Sequence, residues 1–156
     1  MKRQKKKYEK PKRPWDKARI DAERKLKQDY GLRRKKEIWR EESILRNYRR
    51  IARGLAAKRD TEKEKILIEK LVKIGLLNPN ADLDDVLALT TEKILERRLQ
   101  TIVMRKGLAK TAKHSRQLIV HGHISVNGRR VRWPGMLVTV SDESKISFYG
   151  KYGAKQ

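Results

Sequence analysis

Between Arg105 and Ser141 the chain runs 37 residues without an Asp or Glu, while carrying eight Lys and Arg and all three of its histidines. Cations at that density point to binding chemistry, the neutralisation of a polyanion, rather than to bond breaking. Lys113, Arg116 and Gln117 stand at i, i+3 and i+4, on one face of a helix and opposite Leu118 and Ile119. Lys110, Thr111, Lys113 and His114 lie where that helix begins, and a helix N-terminus ordinarily takes Asp or Glu. The mismatch of roughly 0.3–1 kcal/mol per charge becomes attraction once a phosphate sits there. A solvated basic face is the plain alternative, and the acid-free surroundings weigh against it.

Arg105 and Lys106 precede Gly107, so they serve a helix C-terminus, a phosphate, or both. Arg129, Arg130 and Arg132 follow an Asn127-Gly128 turn. As edge-strand charges they need no ligand, but three arginines without a counter-acid point to phosphate. His121-Gly122-His123 has no third His, Cys or nearby carboxylate, which makes a poor metal site, and hydrogen bonding to RNA or backbone is the better use. The acids Asp82, Asp84 and Asp85 are explained by helix capping. No Gly-x-Ser-x-Gly and no glycine-rich phosphate loop is present, so neither an enzyme, a small-molecule substrate nor a cofactor is expected.

The rest of the chain shares this bias. It has 42 Lys and Arg against 19 Asp and Glu in 156 residues, a net charge of +23. Residues 1–59 hold 24 bases and 8 acids, residues 60–90 hold 4 and 7, and residues 91–156 hold 14 and 4, so two basic ends flank a mildly acidic middle. With 37% apolar residues there is little material for a large core, and part of the order should come from the partner. The absence of cysteine removes disulfides and thiolate chemistry. Lys2, Arg3, Lys5, Lys6 and Lys7 lead into no apolar segment, so a cytoplasmic protein without membrane attachment is expected.

The positioning elements follow from periodicity. Residues 1–13, including Lys12 and Arg13, form a basic arm without regular structure in the free protein. A helical domain over 14–90 opens near Pro14 with a thin stripe of Trp15, Ala18, Ala22, Leu26 and Tyr30, up to Gly31. A long helix from about Lys35 to Lys58 has Ile38, Leu45, Tyr48, Ala52 and Leu55 on one side, with Arg46, Arg49, Arg50 and Arg53 making a cationic back. Thr61 and Glu64 form a capping box for a helix that stops at Gly75, and a short capped helix covers Val86 to Leu89. A second unit over 91–149 begins with one helix from Thr90 or Thr91 to Gly107, carrying Leu95, Leu99, Ile102 and Val103. A helix capped by Thr111 follows and stops at Gly122. The period then becomes 2: Ile124 and Val126, a type I′ turn at Asn127-Gly128, then Val131 and Trp133, with further strands over Met136–Val140 and Ile146–Phe148. Residues 150–156 form a loose tail. The fold class is α+β, helices first and a small antiparallel sheet last.

Charge alone does not separate DNA from RNA. The helices Leu95 to Met104 and Thr111 to His121 have helix-turn-helix lengths, which keeps a DNA-binding alternative open. The hairpin after a short second helix suits RNA backbone better. A free RNA chaperone or a targeting subunit of an RNA-modifying enzyme is the other alternative.

ERRLQTIVMRKGLAKTAKHSRQLIVHGHISVNGRRV, Glu96 to Val131, resembles the RNA-binding module named after ribosomal protein four of the small subunit. That module also occurs in pseudouridine synthases, a tyrosyl-tRNA synthetase and a heat-shock protein. KPKRPWDKARIDAERKLKQDYGLRRKKEIWR (Lys10 to Arg40) and LDDVLALTTEKILERRLQT (Leu83 to Thr101) resemble the archaeal and eukaryotic form of the ribosomal protein family itself. The likeness covers about residues 7–149. It implies two helices and a small sheet in the module, and direct binding to small-subunit (16S-type) ribosomal RNA, early in assembly, at a multi-helix junction. It also implies a place beside ribosomal protein five near the mRNA entry region, a role in translational accuracy, and a chain that is not a homo-oligomer. By resemblance, Arg98, Arg105, Lys113, Arg116, Gln117, His121 and Asn127 match RNA-facing positions. Some bacterial members carry a zinc-binding cysteine cluster near the N-terminus; this chain has none, so no metal is implied. Its sheet is followed by few residues, which leaves the packing between the two halves open.

Overall fold

The computed structural model describes residues 6–150, so the expectations for Lys2, Arg3, Lys5 and residues 151–156 lie outside the described residues. Among the described residues run seven helices and then a three-stranded antiparallel sheet with a short eighth helix before its last strand, an α+β arrangement. Residues 6–13 form no helix or strand, yet they lie on the long helix: the Tyr8 ring is 6.0 Å from that of Trp39, and Glu9 pairs with Arg46 at 2.7 Å.

Helix α1 (Lys17–Asp29) starts after Pro14, with Asp16 as its cap. The expected apolar stripe is corrected: Trp15 lies outside the helix and is 89% exposed, and Ala18 and Ala22 face solvent. The residue α1 buries is Glu23. Its carboxylate takes the Trp39 indole N–H at 3.0 Å, and pairs with Lys35 at 3.2 Å and with Arg19. Burial alone would raise the Glu23 pKa, but the bonds from Trp39 and Lys35 outweigh it and hold the carboxyl below its ordinary range. A short helix with few apolar residues thus docks on α2 through a charged cluster.

Helix α2 (Lys35–Lys58) has the expected span, with Ile38, Leu45, Ala52 and Leu55 buried. Helix α3 (Thr61–Ile74) is capped one residue earlier than expected, by Asp60, whose side chain accepts the Lys63 N–H. Helix α4 (Leu83–Ala88) opens on Asp82, whose backbone N–H donates to Asp85 at 3.1 Å.

The single helix expected from Thr90 to Gly107 is two: α5 (Thr91–Glu96) and α6 (Leu99–Arg105). The break at Arg97 and Arg98 is stabilised from elsewhere. Leu99 N–H donates to the Met136 carbonyl at 2.8 Å, Val138 N–H to the Arg97 carbonyl at 3.0 Å, and Thr101 Oγ1 to the Leu95 carbonyl at 2.7 Å. That exchange also explains why Met136 to Val140 is not a strand. Its backbone groups serve the break, with one bridge at Arg98 and Leu137, and Thr139 caps a short α8 (Val140–Glu143) by accepting the Asp142 N–H at 3.1 Å.

Helix α7 (Ala112–His121) begins on the predicted Thr111 cap. Strands β1 (Ile124–Val126) and β2 (Arg129–Val131) are joined by Asn127 and Gly128, both at positive φ as a type I′ turn requires, and β3 (Ile146–Phe148) pairs on the other side of β1. Trp133 lies beyond β2 and is exposed. Three apolar clusters hold the molecule. One joins α6, α7 and the sheet, a second joins α2 to α5 with Leu137 against it, and a small third sets Leu32 and Ile38 against Leu95. Ile94 and Leu95 of α5 therefore face the helical clusters, while Leu99 of α6 faces the sheet's.

Candidate nucleic-acid interface

Helix α7 buries Ala112, Ser115, Leu118 and Ile119, which turns Lys113, Gln117, Val120 and His121 outward. Thr111 Oγ1 accepts the His114 N–H at 3.1 Å, and Gly31, at φ +58°, packs so closely that a Cβ there would lie 2.8 Å from the Ala112 Cβ. The N-terminus of α7 is thus capped and partly covered by the protein itself. Its outward side chains, rather than its backbone, are what an anion meets.

Arg116 is oriented differently from Lys113. Its guanidinium donates to Glu37 Oε2 at 3.0 Å and to Gln100 Oε1 at 3.3 Å. Glu37 Oε2 also takes Arg98 Nη2 at 2.7 Å, while its Oε1 accepts the backbone N–H groups of Arg33 and Arg34 at 3.1 and 3.3 Å. Arg98 is 3% exposed, with Glu41 3.9 Å from its Nη1. Gln100 completes the cluster by donating to the carbonyls of Tyr30, Gly31 and Ala112. Burial opposes the charge on Glu37, but the bonds from Arg116 and Arg98 outweigh it and bring its pKa to about 2. Glu41 is pushed up, because burial there dominates the attraction of Arg98. The packing between the halves left open by the sequence is made by this cluster, by Gly31 on α7, and by Gly75 at the end of α3, where a Cβ would lie 2.9 Å from Val140 Cγ2 of α8.

Other cations named from the sequence are also engaged. Arg49 donates to the Leu89 carbonyl at 2.7 Å and is half-buried rather than part of a cationic back. Arg130 donates to the carbonyls of Gly122 and His121, both at 2.9 Å, and covers the Tyr149 ring at 5.8 Å. Asn127 donates to Asp142 at 2.7 Å, and Arg105 pairs with Glu96 at 2.9 Å while remaining exposed. Arg50 and Arg53 are exposed and make local bonds to Asn47 and the Arg49 carbonyl. The His121 and His123 rings stack at 6.1 Å, and no group of three metal-ligating side chains forms among the described residues.

What is left open is a cationic rim on the second unit. Lys106, Lys110, Lys113, Arg129 and Arg132 are exposed and have no ion-pair partner among the described residues. Gln117 and His121 face outward with them, and His114 is half-buried. Lys12 and Arg13 are exposed at the opposite end of the sequence. This surface can neutralise and position phosphates, with arginine forks and lysine point charges. No helix among the described residues is long and apolar enough to cross a membrane.

Reasoning from sequence missed Glu37, Glu41 and Gln100. A signal existed for Glu41: it falls at helical spacing between Ile38 and Leu45, and a carboxylate on an apolar stripe calls for a buried cation. Nothing local marks Gln100.

Residues 97–144, from the break before α6 to the end of α8, match the S4 domain family. The whole chain is similar to small ribosomal subunit proteins uS4 of archaea. That of Methanoregula boonei is 49% identical over 154 residues, covering 94% of this chain and 83% of that protein. That of Thermoplasma acidophilum is 54% identical over 149 residues, covering 92% and 75%, and that of Nanoarchaeum equitans 51% over 154 residues, covering 95% and 85%. Identity at this level along both the helical half and the S4 domain leaves one assignment: the chain belongs to the small ribosomal subunit protein uS4 family.

Proposed function

We propose that the chain is a structural component of the small ribosomal subunit in the cytoplasm, bound directly to small-subunit (16S-type) ribosomal RNA. The observation that carries this reading is the open rim of Lys106, Lys110, Lys113, Arg129 and Arg132 on the S4 domain, cations the protein itself leaves unbalanced. Arg105, Gln117, His121 and His114 extend that contact, and Lys12, Arg13, Arg50 and Arg53 make a second one on the helical half. Arg98, Arg116, Arg49, Asn127 and Arg130 act as positioning residues, since each donates to a group of the protein itself. Thr111 holds the first turn of α7. A chain with a helical domain over 14–90 and an RNA-binding domain over 91–149, locked together, suits early binding at a multi-helix junction. In that setting it would lie beside ribosomal protein five near the mRNA entry region and influence translational accuracy.

Sucrose-gradient fractionation of native lysate tests this. Co-migration with the small subunit through a high-salt wash is the expected result. A signal confined to the top of the gradient would point instead to a free RNA chaperone or a subunit of an RNA-modifying enzyme.

A further inference from the structure

Among the described residues Trp15 is the most exposed large apolar side chain, at 89%, and it belongs to none of the three apolar clusters. Tryptophan is on average well buried in folded proteins, so a ring left this open calls for a cover. We propose that Trp15 is a stacking platform for an unpaired base of the RNA, in a loop, bulge or strand end, with Lys12 and Arg13 on the flanking phosphates. The proposal rests on the RNA-binding reading above and adds to phosphate neutralisation a contact with the face of a base.

Three observations meet here. First, the ring is held out on a fixed turn. Arg19 Nη2 donates to the carbonyls of Arg13 and Pro14, both at 3.0 Å, and Arg19 is itself anchored by its ion pair with the buried Glu23. Pro11 and Pro14 each restrict φ on the approach to Trp15. The backbone there has little freedom to lose when a ligand settles on the ring. Second, the surroundings are cationic and unspent. Lys10, Lys12, Arg13 and Lys17 are exposed and have no ion-pair partner among the described residues. The neighbouring acids are engaged: Glu9 pairs with Arg46 at 2.7 Å, and the Asp16 side chain accepts the Arg19 N–H at the cap of α1. Third, Lys12, Arg13 and Trp15 line one shallow hollow, so ring and cations are presented to the same ligand.

Chemistry selects the ligand. An apolar protein neighbour would cover the ring but leave Lys12 and Arg13 without counter-charge. A nucleotide offers both partners at once, a flat π-face for the indole and a phosphate for the cations. Every base has such a face, so the platform tolerates any sequence. It discriminates by pairing state instead, because a base stacked inside a duplex does not present its face. Trp15 therefore recognises unpaired RNA, where the lysines and arginines of the S4 rim respond to charge alone.

The test uses the full chain, labelled with nitrogen-15, titrated with hexa-adenylate RNA and with a hexamer of abasic ribose phosphate. The chain has three tryptophans, so its indole N–H region is simple, and the Trp15 signal is the one lost in W15F. The expected result is a shift of the Trp15 indole with hexa-adenylate that is several-fold larger than with the abasic hexamer. Equal shifts mean charge attraction alone and overturn the platform, as does an unmoved signal. In parallel, W15A should bind small-subunit rRNA about tenfold more weakly at every salt concentration, with the salt slope unchanged, while W15F keeps most of the affinity. Trp15 lies outside α1 and the apolar clusters, so the urea midpoint of W15A should equal that of wild type; a lowered midpoint would make the ring a structural contact and overturn the proposal. Wild-type affinity in W15A, together with poor incorporation into subunits, would overturn the site in favour of a protein neighbour on Trp15. If the wild-type chain itself fails to bind the rRNA, the RNA-binding reading falls as well, a result distinct from loss of the Trp15 contact alone.

Discussion

Two sets of cations lie on the same S4 domain and have opposite fates. Arg98 and Arg116 turn inward to share one carboxylate, Glu37 Oε2, at 2.7 and 3.0 Å. Lys106, Lys110, Lys113, Arg129 and Arg132 are exposed with no ion-pair partner among the described residues. A local excess of charge is therefore not one property. Part of it is balanced by acids of a distant helix and fixes how the two halves join, and only the remainder is available to RNA. Lys113 and Arg116, three residues apart on α7, fall on opposite sides of that division.

The division predicts a graded series of effects. Arg98→Ala should be the most damaging change: it leaves Glu37 and Glu41 buried against fewer cations, a loss of about 3–5 kcal/mol. Urea unfolding of the free protein measures it, and a loss under about 1 kcal/mol would place Arg98 with the open rim. Gly31→Ala comes next. Its φ of +58° and the approach to Ala112 make any side chain strained, and a loss of about 1–3 kcal/mol should appear in the same assay.

Acid should weaken the inward set selectively. The Glu37 pKa falls from 4.5 to about 2 on folding. Its contribution is therefore fully present above about pH 4.5 and is lost as pH drops toward 2. Glu41, raised by burial, works in the opposite sense and gains as pH falls. Glu37→Gln should flatten the acid limb of a pH-stability curve, and an unchanged limb would remove Glu37 from the account. The smallest changes in stability belong to the rim. Lys113→Ala and Arg129→Ala should each stay within about 0.5 kcal/mol of wild type while lowering the salt slope of rRNA binding by about one unit at most. Arg116→Ala should do the reverse, losing stability more than slope.

The elements carried by periodicity are legible in the residues. The stripe of Ile38, Leu45, Ala52 and Leu55 marks α2, and Thr111 and Gly122 bound α7. The Asn127-Gly128 pair marks its turn. The misread elements share a cause, which is pairing across long separations. Leu95, Leu99, Ile102 and Val103 keep helical spacing through Arg97 and Arg98, so nothing local announces that residues 134–138 hydrogen-bond into a break there. Residues 136–140 alternate like a strand, but their donors and acceptors are already committed to that break. α1 shows a second cause: Trp15 and the alanines suggested an apolar contact, whereas Glu23 supplies a charged one. On the interface, sequence located the cationic region, and it could not say which guanidiniums turn inward because their partners, Glu37 and Glu41, lie on another helix.

The double acceptance at Glu37 also has a consequence in time. Arg98 and Arg116 follow Glu37 by 61 and 79 residues. At about 5–20 residues per second, the second arginine is added roughly 4–16 s after the carboxylate it will join. Until Arg98 is added, roughly 3–12 s after Glu37, α2 is made but its two inward-facing acids lack the arginines they will join. Burying them is unfavourable until Arg98 arrives, so the nascent helical half should keep the start of α2 loosely packed. Synthesis thus sets an order in which α7 of the S4 domain completes the contacts of the start of α2.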